Sequence, residues 1–377
     1  MDQRVTAAIY PYDLQFTPLL RHKEMIKDFD IIRVISPFCW GLCGKDAGFA
    51  DRGPDLGILV ESDFDQAISD CDTVVFVESE YPFDYETALL PKIRKAILAG
   101  NDIAMARALK KEQYDELKEL CGRAGVSFTY YHAMEWIKVE FTPRELKYHR
   151  IHKNSVPVIF VSGDGERTRK FEVQLSLREK FLQEGYLVSQ IGSREYCELL
   201  GFHSLPLFLW EERSETEKIY LFNQYVKNIE IHEHPDVIII GIPGGIMAQS
   251  DQNSTFFGIT AYEISNAVAP DAAVFCTYYA GWKPAYFEKM CEVIKYRLGC
   301  VADCFVLSNA RIDWNGSADT ANDSRFYHIG QRKVEQRKAE LSEVSPPVFD
   351  ILQQEDREKV AGLLLDKLME YAAIDHF

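Results

Sequence analysis

The chain alternates short apolar runs with amphipathic helical stretches along most of its length. In the first third, Val5–Tyr10, Ile31–Ile35 and Thr73–Val77 have the composition of strands, whereas Glu86–Ala99 and Glu112–Ala124 have that of helices that stop at a glycine. Strands that alternate with helices at this spacing build βαβ units around a mainly parallel sheet. We therefore expect an α/β fold.

A second block of the same kind follows. Pro157–Val161 is predicted as a strand, Lys170–Glu184 as a helix, and Pro235–Ile242 as the most apolar strand of the protein. With 377 residues the chain exceeds the roughly 250–300 residues that one core usually covers. The sequence predicts two Rossmann-like domains, 1–150 and 151–344, separated by the polar stretch Thr142–Asn154, and a helical tail, 345–377, after Ser345-Pro346-Pro347.

The amino-acid composition limits the partners and the surroundings that we expect for the chain. The formal net charge is −16, and a diffuse acidic surface repels phosphate backbones, so we expect no nucleic acid as partner. No apolar run is long enough to span a bilayer, which predicts no membrane insertion. Nine cysteines in a large chain without a signal peptide fit reduced thiols in the cytoplasm. The sequence leaves open whether the protein forms a homodimer.

The most informative motif is a strand, a glycine turn, a lysine and a helix in direct succession. Glycines let backbone N–H groups face inward, the helix adds its positive end, and a lysine reaches the outer phosphates of a ligand. This order predicts an anion or nucleotide site in a P-loop-like second domain, in the manner of the longer loops of dethiobiotin synthetase-type proteins. The expected ligands are Gly163, Asp164, Gly165, Thr168, Arg169 and Lys170.

Two parts of a working phosphate loop are missing. Arg169 stands where a glycine would precede the lysine, and Phe171 stands where a Ser or Thr hydroxyl would bind Mg²⁺. The next apolar strand ends in Gly241 and Pro243 rather than in an acidic residue. The sequence thus predicts a degenerate loop, with a working site of unusual ligands and an ordinary Rossmann turn as alternatives. Neither domain carries GxGxxG after its first strand, so a dinucleotide oxidoreductase is disfavoured.

The carboxyl edge of the first predicted sheet is the second place where a ligand is expected. The long loop from Phe38 to Gly57 follows a strand, and an ordinary turn with packed aromatic side chains is as good an interpretation of it. No metal site is predicted, because the Cys39/Cys43 and Cys300/Cys304 pairs fit packed or free thiols better than zinc. The pocket candidates are Tyr12, Asp13, Arg21, His22, Trp40, Cys43, Lys45, Asp46, Arg194, Gly244 and Gly245.

Several longer segments together resemble the "peptide maturation system" proteins of clostridial gene clusters for ribosomally made, modified peptides. The resemblance covers most of the chain. It lies in Ala8–Asp13, Phe16–His22, Gly41–Gly48, Lys170-Phe171 with Gln174–Arg178, Gln190–Leu199 and Ile242–Gly245.

The resemblance implies a role beside a radical-SAM peptide maturase and a cysteine-rich precursor peptide, and it implies no catalytic residues. We therefore expect an accessory protein that binds precursor or maturase. The alternative is an ATP- or GTP-dependent enzyme of the same pathway, a ligase or a cluster-loading NTPase, with Lys170 on the phosphates. No cofactor is certain from the sequence; a nucleotide or phosphate is the ligand that the loop favours.

Overall fold

The computed structural model describes residues 5–81, 83–132, 150–250, 254–313 and 326–374. Most of the predicted linker Thr142–Asn154 lies outside these residues. The chain divides into two compact units: Met1–Met134 with Arg194–Ser204, and Glu135–Ser193 with Leu205–Phe377. Both units are α/β, as the alternation of strands and helices predicts.

The first unit is built on a six-stranded parallel sheet with the order β3-β2-β1-β4-β5-β6. This is a Rossmann strand order. β2 and β3 lie on one side of β1, and β4, β5 and β6 lie on the other, so the strand order reverses between β1 and β4. The strands are β1 (Val5–Tyr10), β2 (Phe29–Ile35), β3 (Val60–Glu61), β4 (Thr73–Val77), β5 (Asp102–Ala106) and β6 (Phe128–Tyr130).

The sheet of the first unit is buried because its central strands are apolar throughout. All five residues of β4 are buried, as expected for a strand covered on both faces. The Tyr10 ring packs edge-on against Phe64 and Phe76, with centroids 4.9 and 6.2 Å away. The helices of this unit are Thr17–Arg21, Phe64–Ile68, Leu90–Ala99 and Lys111–Ala124. The predicted helix Glu86–Ala99 begins with a π-helical turn, Tyr85–Leu89.

The second unit holds six parallel strands in the order β15-β12-β11-β7-β10-β8 and an antiparallel pair, β13 and β14. The strands are β7 (Val158–Gly163), β8 (Val188–Gly192), β10 (Val237–Gly241), β11 (Ala272–Thr277), β12 (Cys304–Leu307), β13 (Ala310–Ile312), β14 (Phe326–His328) and β15 (Val348–Phe349); β9 (His203–Ser204) lies in the segment assigned to the first unit.

Helices cover both faces of the second sheet. The last helix of the chain buries Val360, Leu364 and Leu368 in the same apolar cluster as Val173 and Phe181 of the helix that follows β7. The C-terminal helix is therefore part of the second unit's core. The helices are Lys170–Gln183, Glu215–Glu233, Ile259–Ala267, Pro284–Leu298, Gln331–Glu340 and Gln354–Ile374.

Candidate functional site

The strand–turn–lysine–helix motif of the second unit forms a compact loop, Gly163–Lys170, called the 163–170 loop below. β7 ends at Gly163 and the next helix begins at Lys170. Arg167 and Arg169 have φ of 62° and 69°, the left-handed region that side chains normally avoid. These two left-handed residues curl the backbone inward, and turns of this kind form concavities that bind anions.

Three glycines are required for this curl to close. A Cβ on Gly163 would come within 2.5 Å of the Cys276 carbonyl oxygen, and one on Gly165 within 2.5 Å of the Tyr278 hydroxyl. A Cβ on Gly245, in the turn after β10, would come within 2.3 Å of the Asp164 carbonyl oxygen. The two glycine turns therefore approach each other too closely for any side chain.

Lys170 is the central cation of the site. Its side chain is buried, and Nζ donates a hydrogen bond to the carbonyl oxygen of Gly244. The amide of the same Gly244 donates to the Glu166 carboxylate. Burying an ammonium group is costly without partners, so a lysine held inside a loop at a helix start needs anionic or carbonyl oxygens around it. The site can thus offer a cation and a backbone donor to an incoming anion.

Two further cationic residues, Arg167 and Arg169, precede Lys170 in the loop. The Arg169 guanidinium donates through Nε and Nη2 to Oδ1 of Asn309, at 3.1 and 2.9 Å. The Arg167 guanidinium lies 4.4 Å from the centre of the Phe326 ring. Thr168 is buried and its hydroxyl donates to the Gly165 carbonyl at 2.9 Å, which tightens the turn. Three cations within four positions make the loop attractive to an anion despite the acidic chain.

Asp164, a residue of the predicted anion site, has a carboxylate that is bound by residues outside the loop. Its carboxylate accepts hydrogen bonds from the Thr277 hydroxyl at 2.6 Å, the Tyr286 hydroxyl at 3.0 Å and the Tyr278 amide at 3.2 Å. Burial raises the pKa of this carboxyl above its usual range, and the hydrogen bonds act against that rise. The Tyr286 ring is itself stacked on Trp282, with centroids 4.0 Å apart. The sequence carries no pattern that joins these distant residues to Asp164.

The positions where phosphate loops bind a metal hold apolar or crowded residues. Phe171 is buried and sits in the first turn of the helix. Gly241 ends β10, where a Cβ would lie 2.1 Å from the Gln174 side-chain nitrogen, so an acidic residue there would require the Gln174 side chain to move. Across the described ranges, no group of three or more His, Cys, Asp and Glu side chains is placed to hold a metal ion.

Most pocket candidates of the first unit hold their own loop together. Tyr12 is buried and its hydroxyl donates to the Ala47 carbonyl at 2.8 Å. Arg21 and Asp51 form a buried ion pair at 2.6 Å. Asp46 accepts from three backbone amides, each at 2.8 Å, those of Gly48, Leu56 and Gly57. The long loop after β2 is thus built on these side chains.

Other pocket candidates of the first unit differ in their contacts and in their exposure to solvent. Lys45 donates to the Gly41 carbonyl at 2.7 Å, the Cys43 thiol lies 3.4 Å from the Ser36 carbonyl oxygen, and His22 is buried at the end of the first helix. The half-buried Trp40 packs on Tyr81, with ring centroids 4.8 Å apart. Phe38 beside it is 81% exposed. This exposed aromatic is the part of the loop that fits a binding surface.

The fold and these contacts define a class: a two-unit α/β protein with a Rossmann-order sheet in one unit and a cationic glycine loop in the other. No family model matches the chain, and no curated protein matches it. Within the described residues, no helix is long and apolar enough to cross a membrane.

Among solved structures, the chain is similar to a DUF1611 family protein from Anabaena variabilis. The two share 12% identity and a TM-score of 0.60, over 97% of this chain and 100% of that one. This likeness supports the two-unit α/β fold. A homoserine dehydrogenase from S. aureus matches 34% of this chain and 31% of its own, with a TM-score of 0.24 and 13% identity.

Proposed function

We propose that the second unit binds a phosphate-bearing ligand in the 163–170 loop and does not transfer its phosphoryl group. The observation that carries the proposal is the buried Lys170 ammonium at the start of a 14-residue helix, with its Nζ on a backbone carbonyl oxygen. A backbone carbonyl is a weaker partner for an ammonium group than a charged oxygen is. A phosphate oxygen is therefore expected to take the place of the Gly244 carbonyl.

The contacts around Lys170 describe how the ligand would enter. The Gly244 amide is held by the Glu166 carboxylate, an anionic group that belongs to the chain. A phosphate would compete with this carboxylate for the amide and for the positive field of the loop. Binding thus requires the Glu166 side chain to turn away, and the Glu166→Gln variant, which lacks the competing charge, is expected to bind the ligand more tightly.

Phosphoryl transfer depends on a metal ion and on a positioned nucleophile. The two positions that would contribute metal ligands are Phe171 and Gly241, and neither has an oxygen in its side chain. Of the two acidic residues within the loop, Asp164 already accepts hydrogen bonds from Thr277, Tyr278 and Tyr286, and Glu166 accepts one from the Gly244 amide. The loop therefore supports recognition rather than turnover.

Calorimetric titration with inorganic pyrophosphate tests the proposal. A charge-assisted hydrogen bond contributes about 1.5–3 kcal/mol, so Lys170→Ala should weaken binding roughly 10- to 100-fold. Lys180→Ala is the matched control. It removes a lysine from the same helix that is paired with Glu184 at 2.7 Å near the helix end, and it should leave the dissociation constant unchanged. Wild-type protein that does not bind pyrophosphate, or equal loss in both variants, contradicts the proposal.

We propose further that the protein acts as an accessory factor in peptide maturation, as the resemblance implies, with the Phe38–Trp40 segment as part of its partner surface. The exposed Phe38 ring supports this, because aromatic side chains are enriched at binding hot spots. Phe38→Ala should weaken capture of the precursor peptide or the radical-SAM maturase without changing the melting temperature. Unchanged capture of both would place the partner surface elsewhere.

A further inference from the structure

The first unit has a second polar cluster at the point where its strand order reverses. Open α/β sheets bind ligands in the crevice at the carboxyl ends of the strands beside such a point. Glu78 directly follows β4, and Arg107 directly follows β5. Neither residue takes part in the function proposed above.

Both side chains carry a buried atom that has no hydrogen-bond partner among the described residues. These atoms are Oε1 of Glu78 and Nη1 of Arg107. Glu78 forms a long ion pair with Arg194, whose Nη1 lies 3.9 Å from Oε1, beyond hydrogen-bond distance. The Tyr85 hydroxyl is also buried without a partner, and the Arg107 charge acts on both Tyr85 and Glu78. Native proteins rarely leave such groups unsatisfied.

The other acidic groups of this region are already engaged. Asp13 accepts from the Ser79 hydroxyl at 2.9 Å and the Glu80 amide at 2.7 Å. Glu195 accepts from the Ala108 amide at 2.7 Å. Among the described residues, no carboxylate bonds to Nη1 of Arg107, although the Arg107 charge acts on Glu78. An anionic oxygen of a bound ligand would give Nη1 of Arg107 the hydrogen-bond partner that it lacks among these residues.

The residues around Arg107 favour one kind of anion. Dinucleotide-binding units need a glycine turn after β1 so that the pyrophosphate can approach the backbone. Here β1 is followed by Pro11, Tyr12 and Asp13, all of them buried, so no such approach exists. A single guanidinium fork instead matches the two coplanar oxygens of a carboxylate. Burial also raises the pKa of Glu78 to about 7, so the Glu78 carboxyl can donate a proton to a neighbouring oxygen near neutral pH.

We infer that the first unit contains a binding site for a small carboxylate ligand at the carboxyl ends of β4 and β5. In this site the Arg107 guanidinium holds the carboxylate, and the Glu78 carboxyl faces the same ligand. The site is independent of the 163–170 loop and of the phosphate-bearing ligand proposed there.

Calorimetric titration of the full chain with acetate, succinate and citrate, and with uncharged succinamide as the matched ligand, tests this inference. We expect at least one carboxylate to bind, succinamide not to bind, and Arg107→Gln to weaken carboxylate binding at least roughly tenfold. Arg94→Gln is the control variant, because Arg94 is an exposed arginine of the same unit, paired with Glu116 at 3.0 Å. It should bind as the wild type does.

Arg107→Lys keeps the charge but removes the guanidinium fork, so it remains informative if Arg107→Gln does not fold. It should weaken binding by severalfold. The inference is overturned if none of the three carboxylates binds the wild type. It is also overturned if the folded Arg107 variants bind a carboxylate as tightly as Arg94→Gln does.

Discussion

At the residue scale, both proposed sites are built on charged side chains that are buried or half-buried. Lys170 was identified from the sequence because a lysine after a glycine turn has few other uses. The predicted anion site also includes Asp164, whose carboxylate accepts hydrogen bonds from Thr277, Tyr278 and Tyr286, all more than 110 positions away in the chain. Glu78 and Arg107 were missed entirely. Each follows an apolar strand, but the sequence alone does not show that both side chains are half-buried, each with a buried atom that makes no hydrogen bond to the described residues.

The buried Glu78 carboxyl predicts a pH dependence of stability. Burial raises its pKa from 4.5 to about 7, with the Arg194 charge acting in the opposite direction. Because the folded pKa exceeds the unfolded one, the unfolded state releases its proton first. The free energy of unfolding therefore falls as the pH rises from about 4.5 to about 7 and is constant above that range, by about 2–3 kcal/mol from this group.

Urea denaturation of wild type and Glu78→Gln across pH 4–8 measures this contribution. The neutral amide has no proton to release, so the variant should gain stability relative to wild type as the pH rises through this window. A stability difference that stays constant over the whole range would show that Glu78 titrates at its ordinary pKa.

At the element scale, the sequence predicts strands better than helices. Thr73–Val77 and Ala272–Thr277 were predicted with their observed bounds, because buried β-branched and apolar runs between turns have few alternatives. The helix Glu215–Glu233 was not predicted. It buries Asn223 and Glu230, and polar residues on the buried face obscure the helical period. Asn223 donates to the carbonyls of His152 and Ala267, contacts that no local pattern reveals.

The C-terminal end of that helix offers a stability prediction. The helix ends at Glu233, and His234 follows with φ 48° and ψ 50°, a left-handed cap that glycine adopts without strain. His234 is exposed, so little packing is lost when it is replaced. His234→Gly should raise the free energy of unfolding by about 0.5–1 kcal/mol.

His232→Gly is the matched comparison, since His232 lies inside the last turn of the same helix and Nδ1 contacts the Asn228 carbonyl at 2.7 Å. A glycine in the helix interior should lower stability by about 1 kcal/mol. Urea denaturation of both variants gives the sign of each change. Two changes of the same sign would contradict the left-handed cap.

At the scale of the whole molecule, the α/β class and the two mainly parallel sheets follow from the alternation of strands and helices and are confirmed. The segment Arg194–Ser204 belongs to the first unit although the chain before and after it belongs to the second. No sequence pattern shows such an excursion, because it depends on contacts between distant parts of the chain. The role in peptide maturation stays a prediction.

The central claim concerns the second unit: its 163–170 loop binds phosphate without needing a metal ion. The direct measurement is a calorimetric titration of the protein with pyrophosphate in the presence of a chelator, followed by an assay of phosphate release from ATP and GTP with Mg²⁺. We predict that pyrophosphate binds in the presence of the chelator, that Lys170→Ala weakens this binding roughly 10- to 100-fold, and that no phosphate is released above the background of the buffer. Binding that requires Mg²⁺, or Mg²⁺-dependent nucleotide hydrolysis that disappears in Lys170→Ala, would contradict the account.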